Sequence, residues 1–297
     1  MKSMERGSNS IIKSAKAEMF TLRDKPAPEL FARFGLGDKE REGYSYAQIP
    51  GSLLLCRKCR GRLVFELPLA KKAADAERAY SEVGRYCVEN ELEIVWHTKN
   101  ENEAAAVSER YVKSVVERTE DGFEVTAKCE LENLAAVPGV VTERLTLSAI
   151  TESDEEDYRA LVEDRKRNHF WGYDDVEGAG GLSYFEVQRR DFEARRAVNF
   201  AVRLDGRMIG EAILYQFDCE GGASAGVRIA AGCSGSGYGR EAFAALVGFG
   251  FDRLGLKRIS AKCFRENAPS LGMLSSVMER ISSDDDFFYF EKRSAKV

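Results

Sequence analysis

The sequence predicts a mixed α/β (α+β) protein with two domains. Short apolar runs with strand character alternate with amphipathic helical stretches along most of the chain. A Pro138-Gly139 pair interrupts this alternation near the middle, and 297 residues are more than one modest core usually needs. We therefore expect a flexible lead over 1–18, a smaller α+β domain over 19–138 and a second domain over 141–297.

Composition and charge are those of an ordinary globular protein. Hydrophobic residues make up 44% and charged residues 31%, and the net charge is −5. Such a chain has no bulk positive field for nucleic acid, and no apolar run approaches the roughly 20 residues of a membrane span. The N-terminal segment 1–20 lacks the apolar region of a signal peptide, and dispersed cysteines are typical of a reducing compartment. We expect a cytoplasmic protein with no membrane or nucleic-acid partner, which could form a homodimer.

The sequence does not favour metal or histidine chemistry. Cys56 and Cys59 form a C-x-x-C pair, but on a strand these residues point to opposite faces. The chain has two histidines, His97 and His169. We therefore expect no metal site and no mechanism that depends on a histidine.

The first domain is predicted to contain strands, two helices and a hairpin. The helices carry apolar stripes, and the turn Glu120-Asp121-Gly122 is typical of a hairpin. The predicted elements are the strands Ser52–Cys56 and Arg62–Leu67, the helix Asp75–Glu89, the strand Glu93–His97, the helix Glu101–Arg110, and the hairpin strands Val112–Glu117 and Phe123–Cys129.

The second domain is predicted to begin with a strand and a capped helix. The acidic run Glu152–Asp157 suits the positive end of a helix, with Thr151 or Ser153 as the N-cap. An aromatic and glycine-rich region over 168–190 follows, and then a hairpin turns at Asp205-Gly206. The predicted elements are the strands Arg144–Ser148, Val198–Leu204, Met208–Phe217 and Gly226–Ala230, the helix Arg240–Leu254, the strand Arg258–Cys263, the helix Ser270–Ile281 and the strand Phe287–Glu291.

A glycine-rich corner joins the strand that ends at Ala230 to the helix that begins at Arg240. Its glycines permit a tight turn and bring bare N–H groups close to a ligand. The helix N-terminus adds unpaired donors and the positive end of a dipole. Together these features predict a cradle for a pyrophosphate, although neither the dinucleotide-binding nor the Walker spacing is met.

This corner and its surroundings resemble the GNAT superfamily of N-acetyltransferases, in particular the ribosomal-protein alanine acetyltransferases. Ser234–Gly239 resembles the family's R/Q-x-x-G-x-G/A acyl-CoA loop, and Glu266–Ser270 with Leu274 resembles its N-x-x-S-x-x-x-L element. The stretches 142–147, 153–158 and 254–259 resemble the first strand, the first helix and the approach to the fifth strand. The resemblance implies a GNAT fold over 141–297, with a mixed sheet whose fourth and fifth strands splay apart.

The resemblance also implies an activity. An enzyme of this kind moves an acetyl group from acetyl-CoA to a primary amine, of a small molecule or a protein N-terminus, by direct attack in a ternary complex. The pantetheine arm would lie between the splayed strands, where a main-chain N–H would polarise the thioester carbonyl. The implied acyl-CoA-binding residues are Arg228, Ile229, Ala230, Ser234, Gly235, Ser236, Gly237, Tyr238, Gly239, Arg240, Asn267 and Ser270.

Three positions depart from the family pattern. Ser234 stands where Arg or Gln is usual, which removes one strong phosphate contact. Ser224 replaces a glutamate of the fourth strand, and Ser275 replaces a tyrosine that gives a proton to the leaving thiolate. The expected base and acid are therefore missing, and the substitutes to consider are Glu211, Tyr215, Asp218 and Glu220.

The aromatic stretch 168–175 falls where GNAT domains build the wall that faces the acceptor amine. Trp171 and Tyr173 would form a rigid apolar wall, and Asp174 or Asp175 would attract a cationic amine. Alternatively, the two aromatic residues fill the core and the aspartates begin a helix. Both interpretations stay open at this point, and Tyr184 and Phe185 could join the same wall.

Residues 19–135 resemble, more distantly, the first half of the GNAT-like domain of phosphatidylglycerol lysyltransferases, through 22–26, 65–69, 120–123 and 131–134. The sequence before residue 140 contains no second acyl-CoA loop, so we expect a degenerate, non-catalytic module. Two other functions stay open. One is a catalytically silent GNAT-fold protein that binds acyl-CoA or a partner. The other is an aminoacyl-tRNA-dependent transferase, which the acidic composition disfavours.

Overall fold

The protein divides into two compact units. A computed structural model describes residues 22–23, 28–36, 44–59, 62–90, 92–171 and 184–295. The N-terminal unit comprises the described residues up to Arg110 together with Ser114–Lys128, and the C-terminal unit comprises Tyr111–Lys113 and the residues from Cys129 onward. No helix among the described residues is long and apolar enough to cross a membrane.

The N-terminal unit is a mixed sheet with three helices among its described residues. The strands lie in the order β1-β2-β3-β5-β7-β6, with β4 beside β2 and a parallel pairing of β3 with β5. The fully buried Phe65 and Trp96 lie at the centre of its core. Its elements are α1 (Pro28–Ala32), β1 (Ser45–Ile49), β2 (Ser52–Cys59), β3 (Arg62–Glu66), β4 (Leu69–Ala70), α2 (Ala73–Glu89), β5 (Val95–Thr98), α3 (Glu101–Ser108), β6 (Ser114–Arg118) and β7 (Phe123–Ala127).

The C-terminal unit is built on an eight-stranded sheet. Its strands lie in the order β14-β15-β13-β12-β11-β10-β9-β8, and the β12–β13 pair is parallel. The elements are β8 (Val140–Val141), β9 (Thr146–Ala149), α4 (Glu155–Glu163), α5 (Arg165–Trp171), α6 (Tyr184–Glu193), β10 (Ala197–Leu204), β11 (Arg207–Tyr215), β12 (Gly222–Ile229), α7 (Tyr238–Asp252), β13 (Arg258–Phe264), α8 (Ala268–Ser275), β14 (Glu279–Ser283) and β15 (Phe287–Arg293).

Helix α7 packs its apolar face on the central strands of this sheet. Phe243 and Leu246 are fully buried, and each side chain contributes about 1.5–3 kcal/mol to the stability by leaving water. A Cβ atom on Gly250 would come within 2.7 Å of Ile259 Cδ1, so glycine permits the close approach of helix and sheet. This packing fixes the N-terminus of α7 beside the end of β12.

Thr151, one of the two residues predicted to cap the first helix of the C-terminal unit, caps the short 3₁₀ turn Glu152–Asp154 that leads into α4. Its N–H and hydroxyl groups donate to Asp154 at 2.8 and 2.9 Å, and Asp154 also accepts two hydrogen bonds from Arg203, at 2.6 and 2.7 Å. The capped turn is thereby tied to β10. Asp154 is 3% exposed, so this ion pair is largely buried.

The helix predicted over Ser270–Ile281 is wrong in its second half. Helix α8 ends at Ser275, and Glu279–Ser283 forms the strand β14. The Leu274 carbonyl accepts hydrogen bonds from the N–H groups of Val277 and Met278, at 3.0 and 2.8 Å, which closes the helix with a turn. The chain then pairs antiparallel with β15.

Candidate active site

A gap opens in the middle of the C-terminal sheet. Strands β12 and β13 pair at three positions, from Gly222↔Arg258 to Ser224↔Ser260. Beyond them, β12 continues alongside β11 to Ile229, while β13 continues alongside β15 to Phe264. The splay expected between the fourth and fifth strands of the domain is therefore present.

The alternation of the β11–β12 ladder determines which backbone groups face this gap. The N–H of Ala230 donates to the carbonyl of Ile209 at 2.8 Å, so the main chain of Ala230 faces β11. In an antiparallel ladder every second residue faces the same neighbour, so the main chain of Arg228 also faces β11. The main-chain groups of Val227 and Ile229 therefore face the gap.

The glycine-rich turn after β12 ends at the bare N-terminus of α7. Gly235 and Gly237 have φ values of +84° and +83°, which favour glycine. Gly237 is the N-cap of α7, and no described side chain caps this helix. The first N–H groups of α7 therefore have no acceptor within the helix and present donors to an anion.

An ion pair between Arg144 and Glu241 also holds the glycine-rich turn. Arg144 donates to the Ser236 carbonyl at 3.0 Å and to the Glu241 carboxylate at 2.7 Å. Thr142 donates to the same carboxylate at 2.6 Å. Burial acts to raise the pKa of Glu241, but the hydrogen bonds from Thr142 and Arg144 outweigh it and lower this pKa. The turn is thus anchored both to α7 and to the segment between β8 and β9.

A cavity of about 790 Å³ joins the gap to the turn. Ser236 and Tyr238 are absent from its lining. The Ser236 carbonyl and the Tyr238 ring contact Arg144 instead, the ring at 4.7 Å from its guanidinium carbon. The other residues predicted to bind acyl-CoA line the cavity together: Arg228, Ile229, Ala230, Ser234, Gly235, Gly237, Gly239, Arg240, Asn267 and Ser270.

Asn267 lies at the edge of the cavity because it is the N-cap of α8. Its Oδ1 accepts a hydrogen bond from the Ser270 N–H at 3.2 Å, and Pro269 occupies the first turn. This cap starts α8 directly after β13 and places both predicted residues on the same wall.

Helix α5 lies across one face of the gap. Arg167 donates to the Ile229 carbonyl at 2.7 Å, and the His169 ring stacks on Phe264 of β13 with centroids 5.5 Å apart. The Trp171 ring lies against β12, since a Cβ atom on Gly226 would come within 3.2 Å of it. Trp171 therefore forms a wall of the cavity.

Other residues predicted for the acceptor wall cannot be placed beside Trp171. Tyr173, Asp174 and Asp175 lie outside the described residues. Phe185 belongs to α6, where its ring lies 5.9 Å from the guanidinium carbon of Arg189. The side chain of Tyr184 also lies outside the described part of the chain.

Glu211 is the centre of a buried polar network behind this wall. It is 1% exposed, and its Oε2 accepts a hydrogen bond from Arg228 Nε at 3.0 Å and lies 2.7 Å from Arg228 Nη2 in an ion pair. Its Oε1 accepts from Tyr158 at 3.1 Å and from Asn199 at 2.7 Å. Burial acts to lower the pKa of Arg228, but the charge of Glu211 raises it. Both carboxylate oxygens are thus engaged, and protonation of Glu211 would break an ion pair.

Tyr215 and Asp218 lie toward the opposite end of β12 from the glycine turn. Tyr215 pairs with Ser224, next to the point where the gap begins, and burial raises the pKa of its phenol. Asp218 accepts hydrogen bonds from the N–H groups of Glu220 and Gly222, at 3.0 and 2.7 Å. Its other oxygen binds Arg258. Asp218 and Glu220 therefore shape a turn, and the structure does not bring them together with Glu211.

Arg167 and Val227 were missed by reasoning from the sequence. The alternation of β12 would have indicated Val227 once its pairing with β11 was known. Arg167 lies 62 residues before its partner Ile229, and no local pattern links the two. The signal available was indirect, because the segment predicted to bind a pyrophosphate, Ser234 to Arg240, contains one basic residue.

The C-terminal unit also matches a known family of domains. Residues 144–277 match the family model described as the acetyltransferase (GNAT) domain. The C-terminal unit therefore carries a GNAT acetyltransferase domain, as the sequence predicted.

The chain is also similar to solved structures of other acetyltransferases. A Vibrio cholerae protein, provisionally described as a ribosomal-protein-serine acetyltransferase, is 23% identical with a TM-score of 0.46, over 53% of this chain and 98% of its own. A GNAT-family acetyltransferase from Bacillus anthracis is 21% identical with a TM-score of 0.46, over 52% and 98%. Mycobacterium smegmatis RimJ, in complex with CoA-disulfide, is 18% identical with a TM-score of 0.44, over 54% and 88%. No curated protein sequence matches the chain.

Proposed function

We propose that this protein transfers an acetyl group from acetyl-CoA to a primary amine, of a small molecule or a protein N-terminus, within one ternary complex. The observation that carries the proposal is the early parting of β12 and β13, which leaves a gap that leads to the bare N-terminus of α7. A gap edged by backbone amides suits an arm that contains amides, and a helix N-terminus suits its diphosphate.

The residues of the cavity fit the proposed donor. Val227 and Ile229 would offer main-chain groups to the pantetheine arm, and the first N–H groups of α7 would hold the diphosphate. Gly237 leaves these donors uncovered because it has no Cβ atom. When bound, acetyl-CoA supplies the activated acetyl thioester.

The three candidate catalytic residues would have different roles. Glu211 already accepts three hydrogen bonds and forms an ion pair with the Arg228 guanidinium, so we assign it the positioning of Arg228 and Tyr158 behind the wall rather than proton uptake. Asp218 is engaged in the turn before β12. We propose Tyr215 as the proton donor, since its phenol, whose pKa burial raises, carries a proton at neutral pH. It pairs with Ser224, the residue of β12 after which the gap begins.

The proposed donor site is tested by calorimetric titration of the full chain with acetyl-CoA. We expect Gly237→Glu to lower the affinity more than tenfold, because it adds a strained left-handed residue and a negative charge at the cradle. Gly139→Glu is the matched control and should leave the affinity unchanged: it adds the same charge in the same unit but outside the cavity, at a position with ordinary φ and nothing within 4 Å of a new Cβ atom. Unchanged affinity in Gly237→Glu would show that the cradle is assigned wrongly.

Turnover is tested by release of free CoA thiol across a panel of small amines and peptides with free N-termini. Release above the rate without amine would support the proposal and would begin to define the acceptor. Tight acetyl-CoA binding with no release for any amine would favour a catalytically silent acyl-CoA-binding protein. Binding of charged tRNA that weakens steeply with salt would instead favour the aminoacyl-tRNA-dependent transferase.

A further inference from the structure

The cavity has few cations for an anionic ligand. Among its described lining residues, three are arginines and two are carboxylates: Arg167, Arg228, Arg240, Asp164 and Glu266. The glycine turn over 231–239 contributes no basic side chain. A ligand with a diphosphate and a further phosphate therefore depends on which of these arginines can turn toward it.

Arg228 is already committed elsewhere. Its guanidinium donates a hydrogen bond to Glu211 through Nε and forms an ion pair with the same carboxylate through Nη2. It also lies 5.4 and 5.0 Å from the ring centroids of Tyr158 and Trp171. Its side chain is 13% exposed, and to leave this place it would have to abandon a buried carboxylate. Among the described lining residues, the other two arginines are Arg167 and Arg240. Arg240 belongs to the first turn of α7.

Arg167 stands where the gap meets the glycine turn. Its Nη1 donates to the carbonyl of Ile229, the last residue of β12, at 2.7 Å. Its ion pair with Asp164 is loose, with Nε 3.5 Å from Oδ2, and its side chain is 41% exposed. The guanidinium thus lies at the start of the turn, and much of it reaches the solvent of the cavity.

The Ile229 carbonyl is a group that an amide-containing ligand in the gap would need. It faces the gap by the alternation of β12, so an N–H of a ligand lying along this strand would compete with Arg167 for it. A guanidinium that loses a neutral carbonyl gains more from a phosphate, because a phosphate carries the opposite charge and can accept two parallel hydrogen bonds. An N–H of the ligand thereby replaces the Arg167 guanidinium at the Ile229 carbonyl. The guanidinium is then free to bind a phosphate next to the glycine turn.

We infer that Arg167 is a phosphate-binding residue of the acyl-CoA site, which exchanges the Ile229 carbonyl for the diphosphate when the donor binds. This inference rests on the proposed function and adds to it a cation supplied by α5. In the free protein, Arg167 would hold the Ile229 carbonyl, which faces the gap, until the ligand binds.

The inference is tested by calorimetry of the full chain with three probes: CoA, 3′-dephospho-CoA and pantetheine, which has no phosphate. Arg167→Gln should lower the affinity for CoA and 3′-dephospho-CoA equally, by about 10-fold to 100-fold, since a charge-assisted hydrogen bond is lost. The affinity for pantetheine should be unchanged or higher, because the Ile229 carbonyl is released. Arg167→Lys should retain part of the phosphate effect. Arg159→Gln, which removes an exposed arginine of α4 paired with Glu155, should bind all probes as the wild type does.

Each other outcome counts against the inference. Wild-type affinity of Arg167→Gln for CoA would show that Arg167 does not contact the ligand. An equal loss for pantetheine would show that it acts through the fold, and a loss for CoA alone would place it on the 3′-phosphate instead of the diphosphate. If the wild type bound none of the three probes, the proposed function itself would fail. The first three results would leave that function intact.

Discussion

Glu130 should make the stability of the C-terminal unit depend on pH. This residue opens a short 3₁₀ turn, Glu130–Asn133, and is 0% exposed. Neither of its carboxylate oxygens has a hydrogen-bond partner among the described residues, although the N–H groups of Glu130 and Gly221 lie close enough to offset part of the burial. Burial, together with the nearby charge of Asp218, raises the pKa of Glu130 to about 7.

The size and sign of the effect follow from this pKa. The ordinary value is 4.5, so the folded state binds more protons than the unfolded state between pH 4.5 and about 7. The free energy of unfolding therefore falls as the pH rises through this window, by about 3 kcal/mol in total, and is level above it. Glu130→Gln cannot ionise and should lose this dependence.

Urea unfolding of the full chain at pH 4.5, 6, 7 and 8 measures the effect. A Trp96→Phe background leaves Trp171 as the single tryptophan, so its fluorescence reports on the C-terminal unit. From the lowest to the highest pH, Glu130→Gln should gain about 3 kcal/mol relative to the wild type. The matched control is Glu132→Gln, in the same turn, where the exposed partner Lys113 is 3.7 Å away, and its difference should stay within about 0.5 kcal/mol. Parallel pH profiles for Glu130→Gln and the wild type would refute the reasoning.

Two further substitutions test other parts of the C-terminal unit. Asp154→Ala should lower the free energy of unfolding by about 3–5 kcal/mol, because it leaves the largely buried Arg203 without its carboxylate. Asp157→Ala, whose partner Arg207 is 78% exposed, should cost about 0–1 kcal/mol, and equal losses in the two variants would contradict this account. Tyr215→Phe should lower kcat for amine acetylation about 10²-fold or more while leaving the calorimetric affinity for acetyl-CoA unchanged. A wild-type kcat would remove Tyr215 as the proton donor.

Elements with a strong local pattern were predictable from the sequence. The turn Asp205-Gly206 adopts φ values of +50° and +83°, as the hairpin signal requires, and α7 buries the apolar face that its spacing predicted. Strand β14 was not predictable, because all five of its residues are exposed and no apolar alternation marks it. Its backbone pairing with β15 decides its conformation, and this is a tertiary effect that local propensity does not contain.

In the candidate site, too, some features follow from local sequence and others depend on distant contacts. The glycine turn and the N-terminus of α7 lie in one short segment, so their chemistry could be predicted from the order of residues alone. The positions of Arg167 and Glu130 depend on contacts between distant segments, since each lies beside residues at least 60 positions away. Glu211 was noted from the sequence as a possible acid or base. We base its proposed positioning role on contacts with Tyr158, Asn199 and Arg228, which form only when β10, β11, β12 and α4 are assembled.

The separation of β12 and β13 also affects the stability of the protein and its tendency to aggregate. An unpaired strand inside a sheet has the same exposed amides as an outer strand, which can recruit other chains and cause aggregation. With acetyl-CoA bound as proposed, those amides would be covered from within. Saturation at 100 times the dissociation constant would then add about 2.7 kcal/mol to the stability. The amount of intact protein would consequently rise and fall with the acetyl-CoA supply of its surroundings, independently of any catalysis.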